Sequence, residues 1–179
     1  MARKSYSKKG TNTSIKGKRL EIYVEQLFKD LGKRFVKRNV YYNFRSVFWG
    51  SVVRKAQVDV QYYDRYGKTL VECKYYDACR VSAEDITSFR RDIDLIKPSS
   101  ALVITNSSLT REAEKLAGSF GIEVYDNEAL RMLDNERRGI AMNKNTGRRA
   151  KTLEQQLREI SLSKYDFEKH YSITRYVLI

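Results

Sequence analysis

Histidine and proline are nearly missing from this 179-residue chain, which has one of each, and cysteine occurs only twice. A single histidine, His170, excludes chemistry built on several imidazoles and any multi-histidine metal centre. Cys73 and Cys79 lack CxxC spacing, so they suggest neither a disulfide framework nor a zinc site, only reduced thiols. No apolar run approaches the roughly 20 residues that a membrane span needs. The opening segment MARKSYSKKGTNTS is charged and has no apolar stretch of the secretory kind, so the expectation is an intracellular protein, cytoplasmic or nucleoid-associated, with no membrane partner. Phosphate-binding glycine loops and GxSxG elbows are also missing. Carboxylates are left as the only plentiful metal donors, and these favour a hard cation such as Mg²⁺.

The chain is rich in charge. Its net charge is +13, and the excess is concentrated in two places. Residues 1–20 carry Arg3, Lys4, Lys8, Lys9, Lys16, Lys18 and Arg19 without an acid, and residues 137–151 carry Arg137, Arg138, Lys144, Arg148, Arg149 and Lys151 without one. These thirteen cations equal the net charge, so the rest of the chain is neutral. Basic segments flanking a neutral body look like arms that contact phosphates, although a solubilising surface has the same composition. A membrane surface fits less well, since neither segment has a long apolar face. The hydrophobic fraction of 41% is that of a folded domain with a core.

Residues 1–14 read as a flexible basic arm, 15–135 as the folded domain, and 136–179 as a basic linker with a C-terminal helix and strand. Leu20, Val24, Leu27, Phe28 and Leu31 recur at helical spacing before Gly32, a natural stop. Strands are expected over 35–44, 57–63 and 69–75, the last two joined as a hairpin by the short loop around Gly67. Ser82-Ala83-Glu84-Asp85 fits a capping box opening a helix that runs to about Lys97, before Pro98. A strand over 101–105, a helix over 111–120 capped by Thr110 and closed by Gly121, a strand over 122–125 and a helix over 127–133 follow. This order gives an α/β fold with a mixed central sheet flanked by helices. The segment 153–162 reads as helical. The apolar run 172–179 lies outside this core and wants a partner, either its own domain or a second subunit.

The sharpest pattern sits on the hairpin. Alternation along Gln57-Val58-Asp59-Val60-Gln61 puts Val58 and Val60 on one face and Asp59 on the other. On the next strand Val71 and Cys73 share a face, and Glu72 and Lys74 share the opposite one. Pairing of the two strands sets Asp59 beside Glu72. Adjacent carboxylates repel unless a cation neutralises them, and a divalent ion does so. An ammonium beside it is suited to a phosphate or an attacking water. The same residues on a strand face also describe a solvated surface with cross-strand ion pairs.

Asp59, followed thirteen residues on by Glu72-Cys73-Lys74 and preceded by a helix bearing a glutamate, resembles the PD-(D/E)xK nuclease superfamily. Lys16-Gly17-Lys18-Arg19-Leu20-Glu21 resembles the start of archaeal Holliday-junction resolvases. The stretch Leu102–Thr110, with Glu112-Ala113, Leu116-Ala117 and Gly121–Val124, resembles the second half of Mrr-like restriction endonuclease domains. The likeness covers roughly residues 15–133 and implies a restriction-endonuclease-like core. It implies Asp59 and Glu72 as metal ligands with the backbone carbonyl of Cys73, Lys74 as the catalytic lysine, and Glu21 as an acid reaching in from the first helix. Glu25, one turn on, competes for that place. Val58 stands where the superfamily name has proline, and Glu72 stands where many Mrr-like members have glutamine.

The resulting expectation is a Mg²⁺-dependent endodeoxyribonuclease, with Mn²⁺ a substitute, that cuts branched or duplex DNA. A homodimer would serve two strands. DNA contacts are expected from Lys16, Lys18, Arg19, Arg80, Arg90, Arg148 and Arg149, although Arg80, Arg90 and Arg91 equally suit pairing with Asp85, Asp92 and Asp94. Tyr41, Tyr42, Phe44, Phe48 and Trp49 read as core or interface before they read as base-stacking groups. The rival readings are a restriction-type duplex endonuclease, a non-cutting DNA-binding module of the same fold, and an RNA-directed protein.

Overall fold

The computed structural model describes residues 9–45, 52–137, 157–158 and 173–178. Helix α1 spans Lys9–Asp30 and is followed by strands β1 (Arg34–Arg45), β2 (Val52–Asp64) and β3 (Gly67–Lys74). Then come α2 (Ala83–Ile96), β4 (Ser100–Thr105), α3 (Arg111–Phe120), β5 (Ile122–Tyr125), α4 (Asn127–Arg137) and β6 (Ile173–Leu178). The strands form one mixed sheet in the order β5-β4-β3-β2-β1-β6. β1, β2 and β3 run antiparallel in sequence, while β3–β4, β4–β5 and β1–β6 pair in parallel.

Local chemistry sets the element ends. α1 stops where Gly32 adopts φ 73°, and Lys33 N–H reaches back to the Phe28 carbonyl at 3.0 Å. Ser82 and Asp85 complete both halves of the capping box of α2, and Lys97, in the left-handed region, closes that helix. The Thr110 side chain accepts from Ala113 N–H to start α3, and Gly121 at φ 67° ends it. The β2–β3 turn is tight: Asp64 faces Gly67, and Asp64 Oδ1 accepts Tyr66 N–H at 2.9 Å.

Two cores sandwich the sheet. On one side Val40, Tyr42, Phe44, Ala56, Val58 and Leu70 pack with Ile86 and Phe89 of α2 and Ala113 and Ala117 of α3. On the other, Val60, Tyr62, Val71, Leu102 and Ile104 pack with Leu20, Val24, Leu27 and Phe28 of α1 and Leu130 of α4. Each fully buried aliphatic side chain stabilises the fold by about 1.5–3 kcal/mol.

Two differences from the sequence expectation stand out. Helical structure begins at Lys9, inside the segment read as a flexible arm. α4 continues to Arg137, four residues past the expected end, and Arg137 ties it to α1 through Asp30 at 3.0 Å. Of the two partners expected for the C-terminal apolar run, it pairs with its own domain, as β6 on the edge of β1. The helix expected over 153–162 lies mostly outside the described residues, of which Leu157 and Arg158 are helical. Phe48, Trp49, Arg148 and Arg149 also lie outside them. Tyr42 and Phe44 are core residues.

The hairpin turn yields a stability prediction. Gly67 has φ 120°, and a Cβ there would run into the Ser99 hydroxyl. Gly67→Ala is expected to cost about 1–3 kcal/mol, seen as a lower midpoint in denaturant without a change in its slope. An unchanged midpoint would mean that the turn relaxes freely.

Candidate active site

The site forms where two paired strands part company. Backbone pairing of β2 with β3 begins at Asp64↔Gly67 and ends at Val60↔Val71. One step further would set Asp59 opposite Glu72, and a second would set Cys73 opposite Val58. Cys73 N–H instead donates to the Asp59 side chain, at 2.8 Å from Oδ2. β3 continues alongside β4 as far as Lys74↔Thr105, and β2 continues alongside β1. Asp59 therefore lies in the crotch of a fork.

The fork overturns one sequence expectation. Val58 and Val60 do not share a face: Val58 packs on the α2 side of the sheet and Val60 on the α1 side. The neighbouring strand switches at the same level. Val36 packs towards α1 and Arg38 reaches the α1 glutamates, whereas Val40 packs towards α2. Between Arg38 and Val40 sits Asn39 with φ 51°, a left-handed residue that rotates the chain and breaks the period of two. Strict alternation assumes an unbroken pleat, and here the pleat is broken. The expected grouping on β3 holds: Val71 and Cys73 belong to the α1-side core, and Glu72 contacts Lys74.

Glu21, Asp59 and Glu72 sense one another electrostatically. Burial drives the Asp59 carboxyl well above its ordinary range, and the charges of Glu72 and then Glu21 add to the rise. The Cys73 N–H and Lys74 oppose it without cancelling it. Glu21 is also raised, chiefly by burial, against the pull of Arg38 and Lys18. The Cys73 thiol is pushed up by burial and then by the same three acids. Among the described residues Glu21 Oε2 is buried without a hydrogen-bond partner, with Arg38 Nη1 3.6 Å away. Glu25, by contrast, is engaged by Lys29 at 2.7 Å and by Arg38 Nε at 3.2 Å, and its charge is not among those raising Asp59.

Lys74 bridges two acids, with its ammonium 2.9 Å from Glu72 and 3.6 Å from Asp85 at the start of α2. Burial pulls its pKa down, but Glu72 and then Asp85 outweigh burial and hold the amine firmly protonated. Asp85 is itself fixed by Ser82 N–H and Oγ, each at 2.8 Å, and by the Tyr76 hydroxyl at 2.9 Å. Burial opposes ionisation of Asp85, yet these donors and Lys74 lower its pKa. Further along α2, burial and then Glu72 raise Asp92 to about 6. The sequence does not single out Arg38, Tyr76 or Asp92 as site residues, and it presents Asp85 only as a cap or an ion-pair partner for arginine. A capping box directly after a D…ExK strand was the available signal for Asp85. Nothing in the sequence pointed to Arg38.

The expected DNA-contacting cations fare unevenly. Lys16 forms an ion pair with Asp77 and lies over the Tyr75 ring. Lys18 acts on Glu21. Arg19 is half-buried, its Nε without a hydrogen-bond partner among the described residues, and Arg80 is exposed. Arg90 is drawn into the fold, 2.6 Å from Asp94 and over the Phe120 ring, so the pairing alternative holds there.

A restriction endonuclease family model, Mrr_cat, matches residues 13–133, two-thirds of the chain and the whole of this site. The chain belongs to the Mrr_cat restriction endonuclease family. Its fold is accordingly restriction-endonuclease-like, and divalent-metal dependence is the family's usual feature. No curated protein matches the chain. Among solved structures, "Protein of Unknown Function AF1548" is 19% identical with a TM-score of 0.55, over 68% of this chain and 66% of that one. The MspJI restriction endonuclease, solved with a 27-mer oligonucleotide, is 14% identical with a TM-score of 0.44, over 98% of this chain and 39% of its own. The modification-dependent restriction endonuclease AspBHI is 14% identical with a TM-score of 0.40, over 79% of this chain and 39% of its own. The Mrr_cat chain thus spans less than two-thirds of the length of each. No helix among its described residues is long and apolar enough to cross a membrane.

The raised Asp59 yields a prediction with a definite sign. An acid whose folded pKa is raised favours the folded state below its unfolded value, near 3.9, and that contribution is lost as pH rises through the folded value. Asp59→Asn removes the repelled charge and keeps an oxygen for Cys73 N–H. With chelator present, the variant is expected to be more stable than wild type at pH 8 by about 1 kcal/mol, the gain shrinking towards pH 4. Thermal melts across pH measure it. A variant less stable at pH 8 would show that the Asp59 charge is held rather than repelled.

Proposed function

We propose that this chain is a divalent-metal-dependent endodeoxyribonuclease with Glu21, Asp59, Glu72 and Lys74 as its working residues. The observation that carries this reading is the fork: three acids coupled through their charges, two of them with raised pKa, beside a protonated lysine. The donors fit a hard cation. They are all carboxylates, they repel one another, and among the described residues Glu21 Oε2 is a buried oxygen without a hydrogen-bond partner. Glu21, Asp59, Glu72 and the Cys73 carbonyl would hold Mg²⁺ or Mn²⁺. Bound there, the ion would supply Lewis acidity at a phosphodiester and lower the pKa of a water.

The chain's own groups have separable tasks. Cys73 N–H fixes the orientation of Asp59. Arg38 braces the α1 glutamates. Lys74, kept cationic by Glu72 and Asp85, is placed to donate to a phosphate oxygen and to stabilise charge growing on it. Branched DNA such as a four-way junction is the proposed substrate on the resemblance of residues 16–21, with linear duplex as the alternative. A homodimer with one site per strand is the economical assembly. A non-cutting DNA-binding module is the second reading. One observation favours it: among the described residues, no three His, Cys, Asp or Glu side chains stand close enough to share a metal.

Cleavage of labelled branched and linear DNA with Mg²⁺, Mn²⁺ or chelator separates these readings. Wild type is expected to cut only with metal and to cut branched DNA faster. Asp59→Ala and Lys74→Ala are each expected to lose about a hundredfold or more in rate. Calorimetry should show cation uptake that Glu72→Gln weakens. Equal cutting by wild type and both alanine variants would remove the fork from the mechanism. DNA binding without cutting or metal uptake would establish the non-cutting module.

A further inference from the structure

A cleft lies on the α2 side of the sheet, against the part of β2 that does not pair with β3. It has a volume of about 570 Å³ and lies between the first half of β2 and α2, lined by Arg54, Lys55, Ser88, Arg91, Asp92 and Asp94 among others. Its charges are sorted. Asp92 feels the charges of Glu72, then of its neighbour Arg91, then of Lys74, which marks the end of the cleft next to the active site. Asp94 is neutralised by Arg90 at 2.6 Å. Arg54, Lys55 and Arg91 are exposed, and among the described residues no ion pair within 4.0 Å engages any of the three. Two separate elements thus present cations across one groove that leads to the fork.

We infer that this cleft binds the phosphodiester backbone of DNA, with Arg54 and Lys55 on one wall and Arg91 on the other. The inference rests on the nuclease reading for its choice of DNA, whereas charge and shape alone point to a polyanion. Lys55 and Arg54 are four and five residues from Asp59, roughly 13 and 17 Å along an extended strand at about 3.3 Å per residue. A nucleic acid strand advances about 3.4 Å per nucleotide. These cations would therefore meet phosphates about four to five nucleotides from the bond being cut. Such contacts fix position and carry no sequence information. The terminal basic arms then add to the DNA grip and do not constitute all of it.

The test compares two double variants of the full chain that lose the same charge: Arg54→Ala with Arg91→Ala in the cleft, and Arg34→Ala with Arg65→Ala near the β2–β3 turn. Binding to labelled duplex and branched DNA is measured over a range of salt, with Ca²⁺ replacing Mg²⁺ to prevent cutting. The cleft pair is expected to weaken binding at least tenfold and to make the log–log salt slope shallower by about 1.8, some 0.9 per lost contact. The turn pair should change the slope little. Under cutting conditions the cleft pair should raise KM at least tenfold with kcat nearly constant, and Arg91→Lys alongside native Arg54 should retain most of the slope. Thermal melts confirm folding of each variant, and Arg54→Gln with Arg91→Gln replaces any pair that fails to fold. Equal effects of the two pairs, or no effect of either, would overturn the assignment, and so would a cleft that serves a protein partner and leaves DNA binding untouched. Wild type that binds DNA in this way but never cuts it would end the nuclease reading and leave the cleft standing. Wild type that cuts while both pairs behave alike would do the reverse.

Discussion

One hydrogen bond that changes partner organises the site. Within a sheet, the N–H of an interior strand belongs to the neighbouring backbone. At Cys73 it goes to the carboxylate of Asp59, 2.8 Å away, because β2 has already begun to leave. That single exchange ends the β2–β3 ladder, anchors a carboxylate in the opening and leaves room for charges from either side of the sheet. α1 brings Glu21 from one face and β3 brings Glu72 and Lys74 to the other. A flat hairpin with an unbroken ladder would have kept these groups on opposite sides of a packed layer.

Opening the sheet has costs, and their positions are informative. The left-handed Asn39 carries backbone strain, and the raised Asp59 and Glu21 carry unfavourable charge burial. Both lie at the same level of the sheet, with two apolar cores to hold them there. Elsewhere the chain obeys its local rules closely, from the capping box of α2 to the glycine stop of α3. Phe35 and Lys97 also have φ 51°, but at Asn39 backbone strain coincides with frustrated charge, a combination that characterises a functional site.

That contrast explains what was legible beforehand. α3 and β5 match their expected ranges because their ends are written in Thr110 and Gly121, whose effects are local. The grouping of Glu72 with Lys74 was legible from alternation, which holds along β3. The same rule failed across Asp59, because the turn of the chain depends on Asn39 of the adjacent strand, and no window along β2 contains it. Arg38 escaped notice for a similar reason: its partners Glu21 and Glu25 come from a helix that packs over it only in the fold. Asp85 was legible as a cap, but its hold on Lys74 requires α2 to begin directly beside the end of β3. The strand nature of the C-terminal run could be read from its residues. Its choice of β1 could not, because an exposed sheet edge exists only once the sheet has formed.

The distribution of charge follows from the same fork. Apart from the thirteen cations at 1–20 and 137–151, the chain carries 22 charges of each sign, and a count of that body finds no preference for a polyanion. The fold separates what the count averages. Acids from α1, β2 and β3 act on one another's charge around the fork, a field that repels any bare phosphate, while Arg54, Lys55 and Arg91 line the cleft on the α2 side. A DNA strand drawn to those cations meets the acids at one point only. At that point a divalent cation would reverse the local sign and turn repulsion into attraction. On this arrangement metal is needed for local seating of the strand as well as for chemistry, while the cleft cations supply affinity without it. Binding and cutting would then respond differently to metal because they depend on charges of opposite sign in neighbouring places.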